Sequence, residues 1–349
     1  MLEKMKILII SDAWHPQVNG VVRTYEHLSD ELEKMGHEVK VIGPSDFSYK
    51  TSLPGYPEIK LVLFPYNKLS NMIKAFNPDI IHISVEGPLG WAGRKYCRRH
   101  NINFSTSYHT HFPHYMEERM PKSLPFLRKL ARNLGVWYVK KFHNASQNLM
   151  LASPSLESVL KDWGFKNNIH RLTRGVNIDT FFPDPDIDIF KNLPKPIALY
   201  VGRVAIEKNL EAFLSMTWEG SKIIVGDGPS RSYLESKYPD AQFLGKQKGE
   251  DLANCYRSSD IFVFPSQTDT FGIVLIEALA TGIPIAAYPV TGPKDIIIDD
   301  SLGYLDENLG TAAQKALESK DQDIEKRRAY VTQNYSWKAA ALQFLNAPR

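Results

Sequence analysis

Two carboxylates eight residues apart mark the most informative stretch of the chain. Asp269 stands in the loop TDTFG, and Glu277 in the apolar run GIVLIEALATG that continues from it. At 3.6 residues per turn, eight residues return to nearly the same face of a helix. Both acids and the N–H groups of the helix N-terminus can then meet one ligand. Carboxylates accept from hydroxyls and a helix N-terminus attracts anions, so the pattern suits a polyhydroxylated ligand that carries phosphate. The competing reading makes Asp269 a helix cap and Glu277 a surface charge. Glu277 is flanked by Leu275, Ile276, Ala278 and Leu279, and an acid in so apolar a setting calls for a ligand or a partner.

A second group of residues carries positive charge. Arg203 and Lys208 lie in GRVAIEK, directly after the apolar run IALYV. Two cations beside a helix start suit a diphosphate; the alternative is a solvated basic loop. The tetrapeptide GDGP, with Gly226 and Asp227, ends another apolar run and offers pliable backbone. Near the N-terminus, SDAWHPQVNG brings Asn19 and Gly20 to the start of a helix. A glycine there lets backbone N–H groups approach an anion, although the GxGxxG of dinucleotide-binding loops is missing. His109, His111 and His114 form His-x-His-x-x-His. No acid lies between Thr106 and Tyr115 and the spacing is not that of a helix-borne zinc motif. His109 therefore reads as a polar residue at a strand end, and no metal site is expected.

From Arg119 to Ser155 there are seven Lys and Arg and no acid. Within residues 123–142, SLPFLRKLARNLGVWYVKKF, Arg128, Lys129, Arg132, Lys140 and Lys141 alternate with Leu, Phe, Trp137 and Tyr138. That is the pattern of an amphipathic helix at an anionic membrane surface, and equally of a domain helix with a solvated basic face. No nucleic-acid recognition module appears, so nucleic acid is not expected as a partner.

The elements that must position these groups alternate. Apolar runs at Lys6–Ile10, His37–Gly43, Ile59–Phe64, Asp79–Ile83 and Asn103–Tyr108 are interleaved with helical patterns at Val21–Met35, Lys68–Phe76 and Leu89–His100. Strands of about five residues that alternate with helices argue for parallel βαβ units and a doubly wound sheet. A second α/β series starts near Pro196 with IALYV, SKIIV and DIFVF. Between the two lies FFPDPDIDIFKNLPKP, residues 181–196, which reads as a hinge linker. The expected organisation is a domain over 1–180, the linker, a domain over 197–334, and a C-terminal helix over 335–349 that returns toward the first domain. Ligands of open parallel sheets bind beyond the carboxyl ends of the strands, here in a central cleft that the two halves would face.

With 349 residues, 43% hydrophobic and 23% charged, the chain has ordinary globular composition. The net charge of +3 is unevenly spread. Residues 1–180 carry 24 Lys and Arg against 16 Asp and Glu, and the remainder 18 against 23. The first half should therefore prefer the more anionic partner. Cys97 and Cys255 form no CxxC, which excludes a disulfide scaffold and a cysteine zinc site and fits a reducing, cytoplasmic setting. The apolar run Ile7–Ile10 is too short for a signal peptide, and no run approaches the ~18 apolar residues of a membrane span.

Read in order, DAWHPQVNGVVRT, HISVEGPLG, SYHTHFP, RGVNIDTF, VGRVAIEKNLEAFL, VGDGP, FPSQTDTFGIVLIEALATGIPIAA and YPVTGP resemble glycosyltransferase family 4. The branch they are most similar to contains GDP-mannose-dependent α-mannosyltransferases and sulfoquinovosyl-diacylglycerol synthases. The resemblance implies the GT-B architecture, an α/β fold of two Rossmann-like doubly wound parallel-sheet domains. The first would be the acceptor side and the second the nucleotide-sugar side. It implies retaining transfer of a hexose from a nucleotide-sugar, GDP-mannose first, to a membrane-lipid or glycan acceptor. No cofactor or metal would be required, and the enzyme could sit peripherally on the inner face of the plasma membrane. By position, Asp269 would hold donor-sugar hydroxyls and Glu277 the ribose. Arg203 and Lys208 would neutralise the diphosphate leaving group. Gly20, Gly272 and Ile273 would supply N–H donors, with Asn19, Gly202 and Phe271 beside them, Gly226 and Asp227 on the nucleotide side, and His109 on the sugar. Asp269 departs from the Glu of much of the wider family, which shortens its reach by one methylene. Three alternatives stand beside this reading: a UDP-sugar-dependent lipid glycosyltransferase, a GT-B epimerase or hydrolase of nucleotide-sugars, and a non-catalytic sugar-nucleotide-binding protein.

Overall fold

The computed structural model describes residues 3–17, 19–53, 56–109, 113, 116–117, 120–121, 124–267 and 271–347. The chain divides into two units. One runs to Thr173 and takes back the residues from Ala340; the other is Arg174–Ala339.

The strands of the first unit are β1 (Lys6–Ile10), β2 (Glu38–Ile42), β3 (Lys50–Leu53), β4 (Tyr56–Val62), β5 (Ile80–Ile83), β6 (Ser105–Tyr108), β7 (Asn148–Leu151) and β8 (Asn168–Arg171). Six form one sheet in the order β2-β1-β5-β6-β7-β8, and every pairing is parallel. A parallel sheet is covered on both faces and its strands read as continuous apolar runs; accordingly Ile7, Leu8, Ile9 and Ile10 are fully buried. The helices are α1 (Gly20–Lys34), α2 (Tyr66–Phe76), α3 (Pro88–His100), α4 (Pro125–His143) and α5 (Ser155–Asp162). Helix α1 buries Val22, Tyr25, Leu28 and Leu32, whose three- and four-residue spacings keep one stripe on the sheet.

The sequence reading departs from the structure at residues 59–64. There β3 and β4 make a separate antiparallel pair rather than the expected parallel strand. The dipeptide Pro54-Gly55 between them in the sequence is a turn signal that argues against a βαβ unit there.

The second unit repeats the plan with β9 (Ile197–Val201), β10 (Ser221–Val225), β11 (Gln242–Gly245), β12 (Ile261–Phe264), β13 (Ile285–Ala287) and β14 (Gly303–Leu305), ordered β11-β10-β9-β12-β13-β14 and again all parallel. Its helices are α6 (Leu210–Ser215), α7 (Arg231–Lys237), α8 (Gly249–Arg257), α9 (Ile273–Ala280), α10 (Pro293–Ile296), α11 (Leu309–Glu318) and α12 (Ile324–Asn334). The last helix, α13 (Trp337–Asn346), begins in this unit and ends in the first. Among the described residues no helix is long and apolar enough to cross a membrane.

The segment expected to be a hinge linker is built into the second unit. Arg257 of α8 donates to the carbonyls of Phe182, at 3.0 Å, and Thr180, at 2.6 Å. Arg328 of α12 donates to those of Phe181 and Ile178 at 3.2 and 3.3 Å. Phe181 and Phe190 are buried in the same core as β9 and β12. The division at Thr173/Arg174 lies seven residues before the expected 180, and two arginines tie residues 178–182 down where an unattached linker would be solvated. Arg327, also on α12, is fully buried and donates to the carbonyls of Ser301, Gly282, Lys320 and Ser319, which pins that helix.

Strand order reverses between β1 and β5 in the first sheet and between β9 and β12 in the second. At such a switch point adjacent loops leave in opposite directions and open a crevice at the carboxyl edge. Among the described residues, the loops there are 11–17 and 84–87 in the first unit, and 202–209 and 265–267 in the second.

Candidate active site

In the first unit, the loop after β1 leads into α1 through Asn19. The Asn19 side-chain oxygen accepts from the backbone N–H groups of Val21 and Val22, both at 3.0 Å, and its amide donates to Gln17 Oε1 at 3.3 Å. Asn19, expected to bind the donor, thus has its side chain committed to the cap of α1. Gly20 opens the helix and is exposed, as close approach of a ligand to its backbone requires. Asp12, which the sequence reading did not single out, accepts from Leu89 and Gly90 N–H at 3.0 and 2.9 Å and so caps α3 across the switch point. Burial outweighs those two bonds and pushes its carboxyl up to about 6.

His109 follows β6 directly, and its Nε2 lies 2.9 Å from the Tyr25 hydroxyl. On the opposite face of the sheet, the buried His143 of α4 joins Thr106 Oγ1 at 2.9 Å to Glu86 Oε1 at 2.8 Å, which fixes the loop after β5. Tyr138 donates to the Glu86 carbonyl and accepts from Trp91 Nε1. His111 and His114 lie outside the described residues.

In the second unit, the loops that follow β9, β10 and β11 are stitched together by backbone. Gly202 N–H donates to Val225 O at 2.9 Å, Val204 to Asp227 O at 3.0 Å and Gly226 to Gly245 O at 2.8 Å. Gly226 is confined to glycine twice over: its φ is +136°, and a Cβ there would meet Gly202 O at 1.8 Å. Gly202 and Asp227 therefore belong to one rigid edge. Arg203 rises from it, 64% exposed, with Glu207 Oε1 at 3.6 Å. A surface pair of this kind binds weakly and yields readily to a phosphate. Lys208 closes the turn Ile206–Lys208 on the same loop.

Phe271, Gly272 and Ile273 lead into α9. Gly272 is its N-cap and brings no side-chain acceptor, so the first-turn N–H groups suit an external anion. The ring of Phe271 packs 6.1 Å from that of Tyr335. On α9, Leu275, Ile276, Ala278 and Leu279 are buried and Glu277 carries the acid. Tyr256 of α8 donates to Glu277 Oε2 at 2.8 Å, and desolvation raises the carboxyl from 4.5 to about 7. Asp269, its expected companion, lies outside the described residues. Sequence reasoning missed Tyr256, since nothing in YRSSD marks a tyrosine that will meet an acid 21 positions away. It also missed Tyr25 and His82, which lie under His109.

Among the described residues, the expected site residues thus lie in or beside loops at the carboxyl edge of the sheet of their own unit. Chemically, the second edge offers backbone donors, two cations and an elevated acid, a constellation for a sugar joined to a diphosphate.

Comparison with known proteins agrees. Residues 18–180 match the family model for Glycosyltransferase Family 4, and residues 186–337 match that for Glycosyl transferases group 1. A GDP-mannose-dependent alpha-mannosyltransferase of Mycobacterium tuberculosis is 28% identical over 331 residues, which cover 86% of this chain and 83% of that one. The sulfoquinovosyl transferase SQD2 of Arabidopsis thaliana is 28% identical over 365 residues, covering 94% and 70%. Among solved structures, a sucrose-phosphate synthase of Thermosynechococcus elongatus superposes with a TM-score of 0.72 at 22% identity, over 98% of this chain and 97% of that one. Two parallel Rossmann-like sheets, the motifs at their edges and both family matches make this chain a glycosyltransferase of the GT-B fold, family 4 in its first half and group 1 in its second.

Proposed function

We propose that the protein transfers a hexose with retention of configuration from a nucleotide-sugar, GDP-mannose first, to a membrane lipid or glycan, and needs no metal to do so. The observation that carries this reading is Glu277: a carboxylate set in an apolar helix, held by Tyr256, on the helix whose N-cap, Gly272, has no side chain to cap it. In this reading Glu277 takes the ribose, Asp269 the sugar hydroxyls and His109 the sugar from the acceptor-side unit. Gly20 and Ile273 lend N–H groups to phosphate. Arg203 and Lys208 stabilise the leaving diphosphate, which supplies the positive potential that a metal would otherwise provide. The relative named for GDP-mannose supports the choice of donor.

The acceptor side of the proposal rests on α4. Phe126, Leu127, Leu130, Leu134 and Trp137 are exposed along one stripe, and Lys129, Arg132 and Lys141 are exposed with them. An apolar stripe with cations suits an anionic bilayer, which would hold the enzyme peripherally on the cytoplasmic face. Ser123, at the start of the expected segment, lies outside the described residues.

The test is saturable binding in a panel of GDP- and UDP-sugars, followed by turnover with membrane lipid extract and NMR of the product anomer. Tight binding of a UDP-sugar alone would replace the donor, and an inverted anomer would overturn the retaining mechanism.

A further inference from the structure

On the α1 face of the first sheet, one phenol oxygen serves three polar groups. Tyr25 and His82 are both fully buried. The Tyr25 oxygen lies 2.8 Å from His82 Nε2, 2.9 Å from Ser107 Oγ and 2.9 Å from His109 Nε2. His82 Nδ1 lies 2.7 Å from Ser105 Oγ, and the ring of Phe344 covers His82 edge-on at 5.2 Å. Burial pushes His82 down to about 3, so at neutral pH it is an uncharged imidazole with one N–H.

A phenol has one proton to give and accepts at most two. Ser107 Oγ, which takes it in this structure, and the nearest nitrogens of the two histidines therefore compete for it. When Tyr25 donates to His82 Nε2, His82 keeps its proton on Nδ1 toward Ser105, and His109 must donate to the phenol from Nε2. When Tyr25 donates to Ser107 Oγ, His109 must again donate from Nε2; only when Tyr25 donates to His109 Nε2 does a neutral His109 carry its proton on Nδ1. The hydroxyls of Ser105 and Ser107 rotate to suit either arrangement. The tautomer of His109 is thus set by where Tyr25, sealed from solvent, sends its one proton.

We propose that Tyr25 and His82 are positioning residues that hold the His109 ring in one orientation and one tautomer. The proposal deepens the reading of His109 as a sugar contact and rests on it. A ring free to turn or to exchange tautomers would present the wrong atom to the sugar for part of each encounter. Misplacement of that kind lowers turnover more than binding.

The experiment uses the full chain labelled with ¹⁵N-histidine. Ring ¹⁵N shifts report the tautomer of each histidine, assigned with His82→Gln and His109→Ala. In parallel, GDP release from GDP-mannose is followed in the presence of membrane lipid extract. The wild type should show His109 in a single tautomer. Tyr25→Phe keeps the ring and leaves His82 its contact with Ser107, 3.0 Å away. It should give tautomer-averaged His109 signals and a kcat lowered about 10- to 100-fold, with KM for GDP-mannose within about threefold. His82→Gln should fall in the same direction. A single unchanged tautomer in Tyr25→Phe, with kcat intact while His109→Ala is inactive, overturns the proposal and leaves the role of His109 standing. Full activity in His109→Ala overturns that role instead, and the ring shifts still decide whether Tyr25 sets the tautomer.

Discussion

The Tyr256 phenol donates to Oε2 of Glu277 at 2.8 Å, so the acid at the second sheet edge is oriented by a neutral partner that leaves its charge uncancelled. Burial raises that acid to about 7, and the folded state holds its proton more tightly than the unfolded chain does. The associated stability is fully present below about 4.5 and is lost as pH rises through 7.

Glu277→Gln should therefore stabilise the protein at pH 8, on the order of 2 kcal/mol, with little change near pH 4.5. The same variant should bind GDP-mannose at least ~10-fold more weakly, since an amide is a poorer acceptor for ribose hydroxyls. Thermal unfolding at the two pH values, beside donor titration, checks both. A difference in Tm that does not depend on pH would show that the acid is not desolvated.

Arg203→Ala and Lys208→Ala should each lower turnover by at least ~100-fold, because leaving-group stabilisation in a preorganised site is worth several kcal/mol. Both residues lie on the loop after β9, and Arg203 is well exposed, so unfolding temperatures should stay near wild type. Near-normal kcat in the double variant sinks the leaving-group role.

Chelation by EDTA should leave turnover unchanged, since the cations and the N-terminus of α9 supply the potential the leaving phosphate needs. Loss of activity that Mg²⁺ or Mn²⁺ restores would refute this account of the site.

Sedimentation with vesicles tests α4. Binding should require anionic lipid and weaken with salt, as expected when attraction is screened over ~10 Å. Lys129→Gln with Arg132→Gln and Lys141→Gln should weaken it roughly 100-fold, at up to ~1 kcal/mol per cation. These three are chosen because Arg128 lies 3.9 Å from Glu117 and is mostly covered. Trp137 fluorescence should shift to the blue on binding. Equal affinity for neutral vesicles would leave α4 a solvated helix.

Much of this was legible in the sequence because alternation and loop chemistry are local. The apolar run Ile7–Ile10 marks a parallel strand by itself, although the run at 59–64 is antiparallel, and GDGP identifies the end of β10 within a few residues. The partners that tune the site were not legible, because they come from other elements. Tyr256 reaches Glu277 from α8, Asp12 caps α3 across 77 positions, and Tyr25 meets His82 and His109 from a different helix altogether. No periodicity announces such meetings. The linker misled for a related reason: four prolines and three acids read as solvated chain, whereas Arg257 and Arg328, far along the sequence, hold its carbonyls.

The return of α13 to the first unit has a consequence for biosynthesis. Gln343 accepts from both the amide and the hydroxyl of Thr173, and Phe344 covers His82. Those residues leave the ribosome after all of Arg174–Ala339. Domains usually mature in the order they emerge; here the earlier unit must wait, with His82 and the end of β8 uncovered, while the later one acquires its whole sequence first. A nascent chain arrested before residue 340 would lack Gln343 and Phe344, and with them the partner of Thr173 and the cover over His82.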